Sequence, residues 1–136
     1  MRTGGCLCGA VRYETPDAPT YTVACHCTFC QRLTGSAFAV WPTFPRAKVN
    51  LAGSVAAYEH RSDETARRIR LEFCPRCGTT VAAQFESEPG ELSLLGGTFD
   101  ETGWIEVERH IWTRSAQRWV ALPPGTPTFE KSLRAS

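Results

Sequence analysis

The sequence predicts an all-β domain of short antiparallel strands in coiled sheets built around zinc. Three observations predict it. Apolar residues recur at every second position in short runs, the period of a half-buried strand. Turn-forming residues separate these runs at intervals of roughly 8–12 residues, the rhythm of antiparallel sheets. All seven cysteines fall into three tight clusters, a pattern that suits metal ligands or catalytic groups better than scattered core thiols.

Taken in order, Val11 and Tyr13 alternate with Arg12 and Glu14. Tyr21 and Val23 alternate with Thr20, Thr22 and Ala24, and Phe38 and Val40 continue the pattern until Pro42 ends it. Helix is scarce. One short turn is expected after Cys27, with Thr28 as N-cap and Gly35 as its stop. Ile69, Leu71 and Phe73 alternate with Arg68, Arg70 and Glu72, which read, with Arg67 beside them, as a solvated charged face. Val81, Ala83 and Phe85 form another such run, then Leu92 and Leu94, then Ile105, Val107 and Arg109 on to Ile111. Turn chemistry lies between, at Thr15–Pro19, Ser62–Glu64 and Glu86–Gly90. From about residue 123 the chain reads as an irregular tail, packed at most by Phe129 and Leu133. There is no internal repeat, and residues 1–136 are expected to form one zinc-binding domain.

Composition narrows the function. An apolar content of 42% over 136 residues supports a real core and excludes a disordered polyelectrolyte. Fifteen basic against fourteen acidic residues leave a formal net charge of +1, so bulk charge argues for neither nucleic acid nor an anionic membrane as partner. No apolar run approaches the ~20 residues of a membrane span. Met1 to Ala10 lacks the apolar region of a signal peptide. The expectation is a soluble, cytoplasmic protein in a reducing compartment, where clustered cysteines stay free of disulfides.

The clusters are Cys6-Leu7-Cys8, Cys25-His26-Cys27-Thr28-Phe29-Cys30 and Cys74-Pro75-Arg76-Cys77-Gly78. Structural zinc takes four ligands, commonly as two pairs from two segments. Cys74 and Cys77 are one such pair, and Cys6 and Cys8, flanked by Gly4, Gly5 and Gly9, are the other. The 65 residues between Cys8 and Cys74 would make this metal a clamp on a long loop, with a length-dependent closure entropy of roughly 3–4 kcal/mol. Cys25, Cys27 and Cys30 remain, and three ligands with an open position are how catalytic zinc sites are built. Two other readings stay open for the triplet. His26 could be a fourth ligand, although neighbours on an extended segment point to opposite sides. Cys27 and Cys30 could form a redox disulfide without metal.

Two zinc ions per chain are therefore expected, one structural and one catalytic. Zinc held by three thiolates carries net negative charge, so its bound water is acidified less than at a site of neutral imidazoles. Such a zinc prefers a thiolate as its fourth ligand and would hold an incoming thiol deprotonated. That suits making or breaking a carbon–sulfur bond between a small thiol and a small electrophile. The alternative is a non-catalytic zinc-stabilised binding module.

Together these motifs, from Gly5-Cys6-Leu7-Cys8-Gly9 and Val11-Arg12-Tyr13 through Cys25 to Cys30, Arg32 and Gly35, to Phe73-Cys74-Pro75-Arg76-Cys77-Gly78, Gly96-Gly97-Thr98-Phe99-Asp100 and His110-Ile111-Trp112, resemble the glutathione-dependent formaldehyde-activating enzyme family. The resemblance implies the β-rich zinc fold shared with methionine sulfoxide reductase B and a Rab guanine-nucleotide-release factor. It implies the same division of ligands, with Cys6, Cys8, Cys74 and Cys77 structural and Cys25, Cys27 and Cys30 catalytic. It also implies carbon–sulfur lyase chemistry, joining glutathione and formaldehyde into S-hydroxymethylglutathione or the reverse. The chain departs from the family at Gln31, where many members carry a second basic residue.

Two more residues are candidate substrate contacts. His110 could act as general acid or base or orient a carbonyl oxygen, the alternative being a strand histidine with one hydrogen bond. Arg32 could face the open metal position and pair with a carboxylate of a thiol such as glutathione, the alternative being a solvated helix-turn arginine. Asp100 reads as a turn-former, and Trp41, Trp104, Trp112 and Trp119 as packing residues.

Overall fold

The computed structural model describes residues 1–132. Strands β1 (Arg2–Gly5), β2 (Arg12–Thr15) and β5 (Asn50–Ala52) form a small antiparallel sheet. A larger sheet contains β3 (Tyr21–Cys25), β4 (Ala39–Pro45), β6 (Ala56–Arg61), β7 (Arg68–Phe73), β8 (Thr80–Phe85), β9 (Glu91–Leu94) and β10 (Arg109–Ile111), in the order β10-β3-β4-β9-β8-β7-β6. Its edges, β6 and β10, do not pair, so the sheet is open. The helix α1 (Thr28–Thr34) follows β3. The all-β expectation is met.

Alternation along the large sheet divides the core in two. Phe44, Ala82, Leu92 and Leu94 pack on the side of the small sheet, with Val11, Tyr13 and Phe99. Val23, Trp41, Ile69, Leu71 and Ala83 form the opposite side. The small sheet is held down by Arg12 and Thr3, both of which donate to the Asp100 carboxylate. Asp100 thus links distant segments rather than only shaping a turn. Gly4 is required where it stands, since a Cβ would lie 2.3 Å from the Tyr13 hydroxyl and 2.5 Å from the Thr98 carbonyl oxygen.

Several local expectations are corrected. Pro42 does not end its strand, because β4 continues to Pro45. The backbone of Thr22, opposite Pro42, turns away from β4: its carbonyl accepts from the Glu108 N–H at 3.0 Å. Pro42 therefore faces the β9 side, where pairing starts only at Thr43, and its missing N–H interrupts no ladder bond. The run from Ile105 is not strand up to Glu108. The Glu108 side chain accepts from the Thr22 N–H, taking the place of a backbone partner, so pairing begins at Arg109. There β10 runs parallel to β3, with Ile111 opposite Cys25, whereas every other named strand pair is antiparallel.

The cap of α1 is Cys27, not Thr28, with the Cys30 N–H donating to Cys27 Sγ at 3.3 Å. Gly35 stops the helix in the left-handed region at φ 64°. Arg68 and Arg70 are exposed as expected, but Glu72 is only 4% exposed and pairs with Arg46 at 3.3 Å. Over the described residues 123–132 there is no helix or named strand, yet this segment is pinned along β10: the His110 N–H donates to the Pro127 carbonyl and the Phe129 N–H to the His110 carbonyl. Leu133 lies outside the described residues.

Candidate metal centres and cavity

Two loops bring the first cysteine cluster together. The Cys6–Cys8 loop follows β1, and the Cys74–Cys77 loop joins β7 to β8. The Cys74 loop closes by bonds from the Gly78 N–H to the Cys74 carbonyl and from the Cys74 N–H to the Thr79 carbonyl, with Gly78 at φ 79°. The Leu7 N–H donates to Thr79 Oγ1 and ties one loop to the other. The four sulfurs lie within 4.8 Å of one another. Cys6 and Cys8 are separated by 3.7 Å and Cys8 and Cys74 by 3.8 Å, sulfur to sulfur. Zn–S bonds of about 2.3 Å set a tetrahedral edge of about 3.8 Å, so the donor set fits zinc in spacing and chemistry. The Val11 and Arg76 N–H groups point at the sulfurs of Cys6 and Cys74, and a hydrogen bond from the Thr79 hydroxyl lowers the Cys77 thiol to about 5.

The second cluster sits where β3 passes into α1. Cys25 ends the strand, Cys27 caps the helix and Cys30 lies one turn in, with sulfurs within 4.8 Å of one another. The Trp41 indole N–H donates to Cys30 Sγ at 3.5 Å. Left to themselves the three thiols hold charge unevenly. Hydrogen bonds from Cys25 and Cys30 keep Cys27 well below the ordinary thiol value, the contact with Cys27 pushes Cys25 up, and contacts with Cys25 and then Cys27 push Cys30 up. Three sulfurs this close can all ionise only around a cation. Both clusters could hold a metal ion, and all seven cysteines are free of disulfides.

The two clusters differ in what they face. Cys25, Cys27 and Cys30 line a cavity of about 930 Å³ to which every strand of the large sheet contributes. Val23, Trp41, Leu71 and Phe85 form apolar wall, and Phe29 stacks on His60 at 4.6 Å near the rim. None of Cys6, Cys8, Cys74 or Cys77 lines it.

The sequence of this fold places it in a known family. The sequence model of the glutathione-dependent formaldehyde-activating enzyme family matches residues 1–115. The chain belongs to that family. Its fold is also similar to a crystal structure of a Rhodobacter sphaeroides protein, at 20% identity and a TM-score of 0.58, covering 93% of this chain and 98% of that one. The family match spans all seven cysteines, Arg32 and His110.

Within this family domain the remaining candidates separate. Arg32 is exposed and lines the cavity mouth, with no ion pair among the described residues. His110 is not brought to the cavity: its strand neighbours Arg109 and Ile111 line it, and His110 points the other way. There Nδ1 of His110 meets Nε2 of His26 at 2.9 Å. His26 is outside the group of sulfurs able to share a metal. Trp41 and Trp112 line the cavity, Trp104 packs on Phe99 and Trp119 is 74% exposed.

Three participants escaped sequence reasoning. Gln31 donates to the carbonyls of His26 and Ser115, locking α1 to the chain beyond β10. Trp41 supplies an N–H to a sulfur eleven positions away. Arg109 enters the cavity beside Ile111, as the period-two pattern that joined the two residues allowed but could not decide. Among the described residues, no helix is long and apolar enough to cross a membrane.

Proposed function

We propose that the protein is a zinc-dependent carbon–sulfur lyase that joins a small thiol to a small aldehyde, or splits the adduct, with glutathione and formaldehyde as the first pair to assay. The observation that carries this reading is the contrast between the clusters. The three-cysteine group opens onto a ligand-sized cavity, and the four-cysteine group does not.

In this reading Cys6, Cys8, Cys74 and Cys77 hold a structural zinc, and Cys25, Cys27 and Cys30 a catalytic one. A zinc with three sulfur ligands supplies a soft cation at which an incoming thiol stays deprotonated, below its free value of ~8.5. The protein's residues do the rest. The Trp41 N–H withdraws charge from Cys30. Val23, Ile111 and Trp41 wall the reacting end of the cavity with apolar surface, which limits water at the aldehyde carbon. The thiolate adds there, the C–S bond forms as the carbonyl π pair moves to oxygen, and that oxygen takes up one proton. Arg32 at the mouth presents a cation to anionic substrates.

The test is Cys27→Ser, assayed for glutathione–formaldehyde adduct formation and weighed by native mass spectrometry. The expected result is one zinc in place of two, with turnover lost. Wild-type turnover in the variant would sink the reading.

A further inference from the structure

Among the described residues, Arg109 lines the cavity with no carboxylate paired to its charge. It lines the wall with Ile111, and its Nε is buried with no hydrogen-bond partner. Its guanidinium lies over the ring of Tyr21 at 5.5 Å. That stacking leaves the guanidinium edge, where the N–H groups point, available for a planar anion. Among the described residues it takes part in no ion pair within 4.0 Å. Four acidic residues also line the cavity, Asp63, Glu64, Glu86 and Glu88, and none of them forms a salt bridge with Arg109 among the described residues. Glu86 pairs with Arg68 at 3.8 Å, and Glu88 accepts from the Tyr21 hydroxyl. A half-buried guanidinium with no counter-ion among the described residues is costly to keep unless a ligand supplies one.

Its place along the sheet sets a length. Arg109 pairs with Val23, two residues from Cys25 along β3, and its guanidinium reaches Tyr21, two residues further. At about 3.3 Å per residue these points lie roughly 7 and 13 Å from the cysteine end of the strand. An anion on Arg109 is therefore on the order of 10 Å from a sulfur bound at Cys25, Cys27 and Cys30, about the span of an extended tripeptide. The wall between is apolar, with Val23, Trp41 and Phe85.

We propose that Arg109 anchors a carboxylate of the thiol substrate, so that the cavity selects a tripeptide-sized thiol acid over a short or uncharged thiol. This rests on the reading of the three-cysteine group as a thiol-binding zinc site. Arg109 touches substrate but not the reacting atoms, so it sets specificity rather than chemistry. A guanidinium–carboxylate fork of this kind is worth about tenfold or more in affinity.

The experiment is calorimetric binding to the zinc-loaded protein, with glutathione, glutathione diethyl ester and 2-mercaptoethanol as probes. The wild type should bind glutathione at least about tenfold more tightly than the diester. Arg109→Gln should bring that ratio close to one and leave 2-mercaptoethanol unchanged, while Arg109→Lys keeps part of the preference. Zinc content and melting temperature establish that the variants are folded. A ratio that Arg109→Gln leaves intact overturns the proposal. So does a wild type that binds both glutathione forms equally, and that result, which needs no variant, leaves the thiol site standing. Failure of all three thiols to bind would overturn the parent reading and this proposal together.

Discussion

Nε2 of His26 lies 2.9 Å from Nδ1 of His110, joining the chain between two cysteines of β3 and α1 to the middle of β10. The rings are buried, and Phe38 packs 4.9 Å from His26, centroid to centroid. The contact explains why His26, flanked by Cys25 and Cys27, turns away from their sulfurs. It also gives His110 a structural partner on the face opposite the cavity.

This pair predicts a pH dependence of stability. Burial lowers both imidazoles below their usual 6.5, so the folded protein keeps them neutral. Below 6.5 the unfolded chain binds protons that the folded chain refuses. Stability is therefore full above 6.5 and falls as pH drops beneath it, by at most about 1.4 kcal/mol per unit for each histidine. Urea unfolding between pH 7.5 and 5.5 should show this slope, and it should be shallower in His110→Gln. Equal slopes would count against the pair as its source.

Trp41→Phe keeps the ring and deletes the N–H that points at Cys30 Sγ. Losing a hydrogen bond to a metal ligand typically weakens metal binding tenfold or more. On the proposed two-zinc reading, chelator titration with zinc counted per chain should show metal at the cavity-facing group leaving about tenfold earlier, with metal at the four-cysteine group unchanged. Equal shifts at both sites would show general loosening instead.

Gly53→Ala should destabilise the small sheet. Gly53 has φ 96°, and a Cβ there would lie 2.1 Å from the Ala10 carbonyl oxygen. The residue after Ala10, Val11, donates its N–H to Cys6 Sγ, so displacement reaches the four-cysteine group. A cost of about 1–3 kcal/mol is expected from denaturant unfolding, with metal released from that group at lower chelator concentration. Stability equal to wild type would contradict the close approach.

Arg46→Ala should leave the Glu72 carboxylate buried without its partner at 3.3 Å. Half of the Arg46 side chain is in solvent, so the cost should be on the order of 1–2 kcal/mol, below that of a fully buried pair. Adding Glu72→Gln removes the stranded charge and should recover part of the loss. A double-mutant cycle with no coupling would show that the two residues do not support each other.

Much of this architecture is legible in local pattern. β2, β7, β8 and β9 follow apolar alternation, and the turn at Gly35 follows from glycine chemistry. β1, with Gly4 and Gly5, and β6, mostly exposed at the sheet edge, carry no such alternation, because pairing rather than burial defines them. Glu72 looked solvated because its strand neighbours Arg68 and Arg70 are, whereas its ion-pair partner Arg46 comes from another part of the chain.

The three local cysteine clusters were determined by the sequence alone, whereas the meeting of Cys6 and Cys8 with Cys74 and Cys77 was decided by the fold, which brings the loop after β1 to the loop between β7 and β8. A gap of one or two residues between thiols brings sulfurs together whatever surrounds them, so metal-ligand spacing is a local property. Which group meets the cavity, which side of β10 carries Arg109 and which His110, and whether that strand runs parallel to its neighbour were decided by the tertiary structure. A period of two states that Arg109 and Ile111 share a face. The identity of that face depends on the register of β10 against β3, which is set by contacts more than eighty residues apart in the chain.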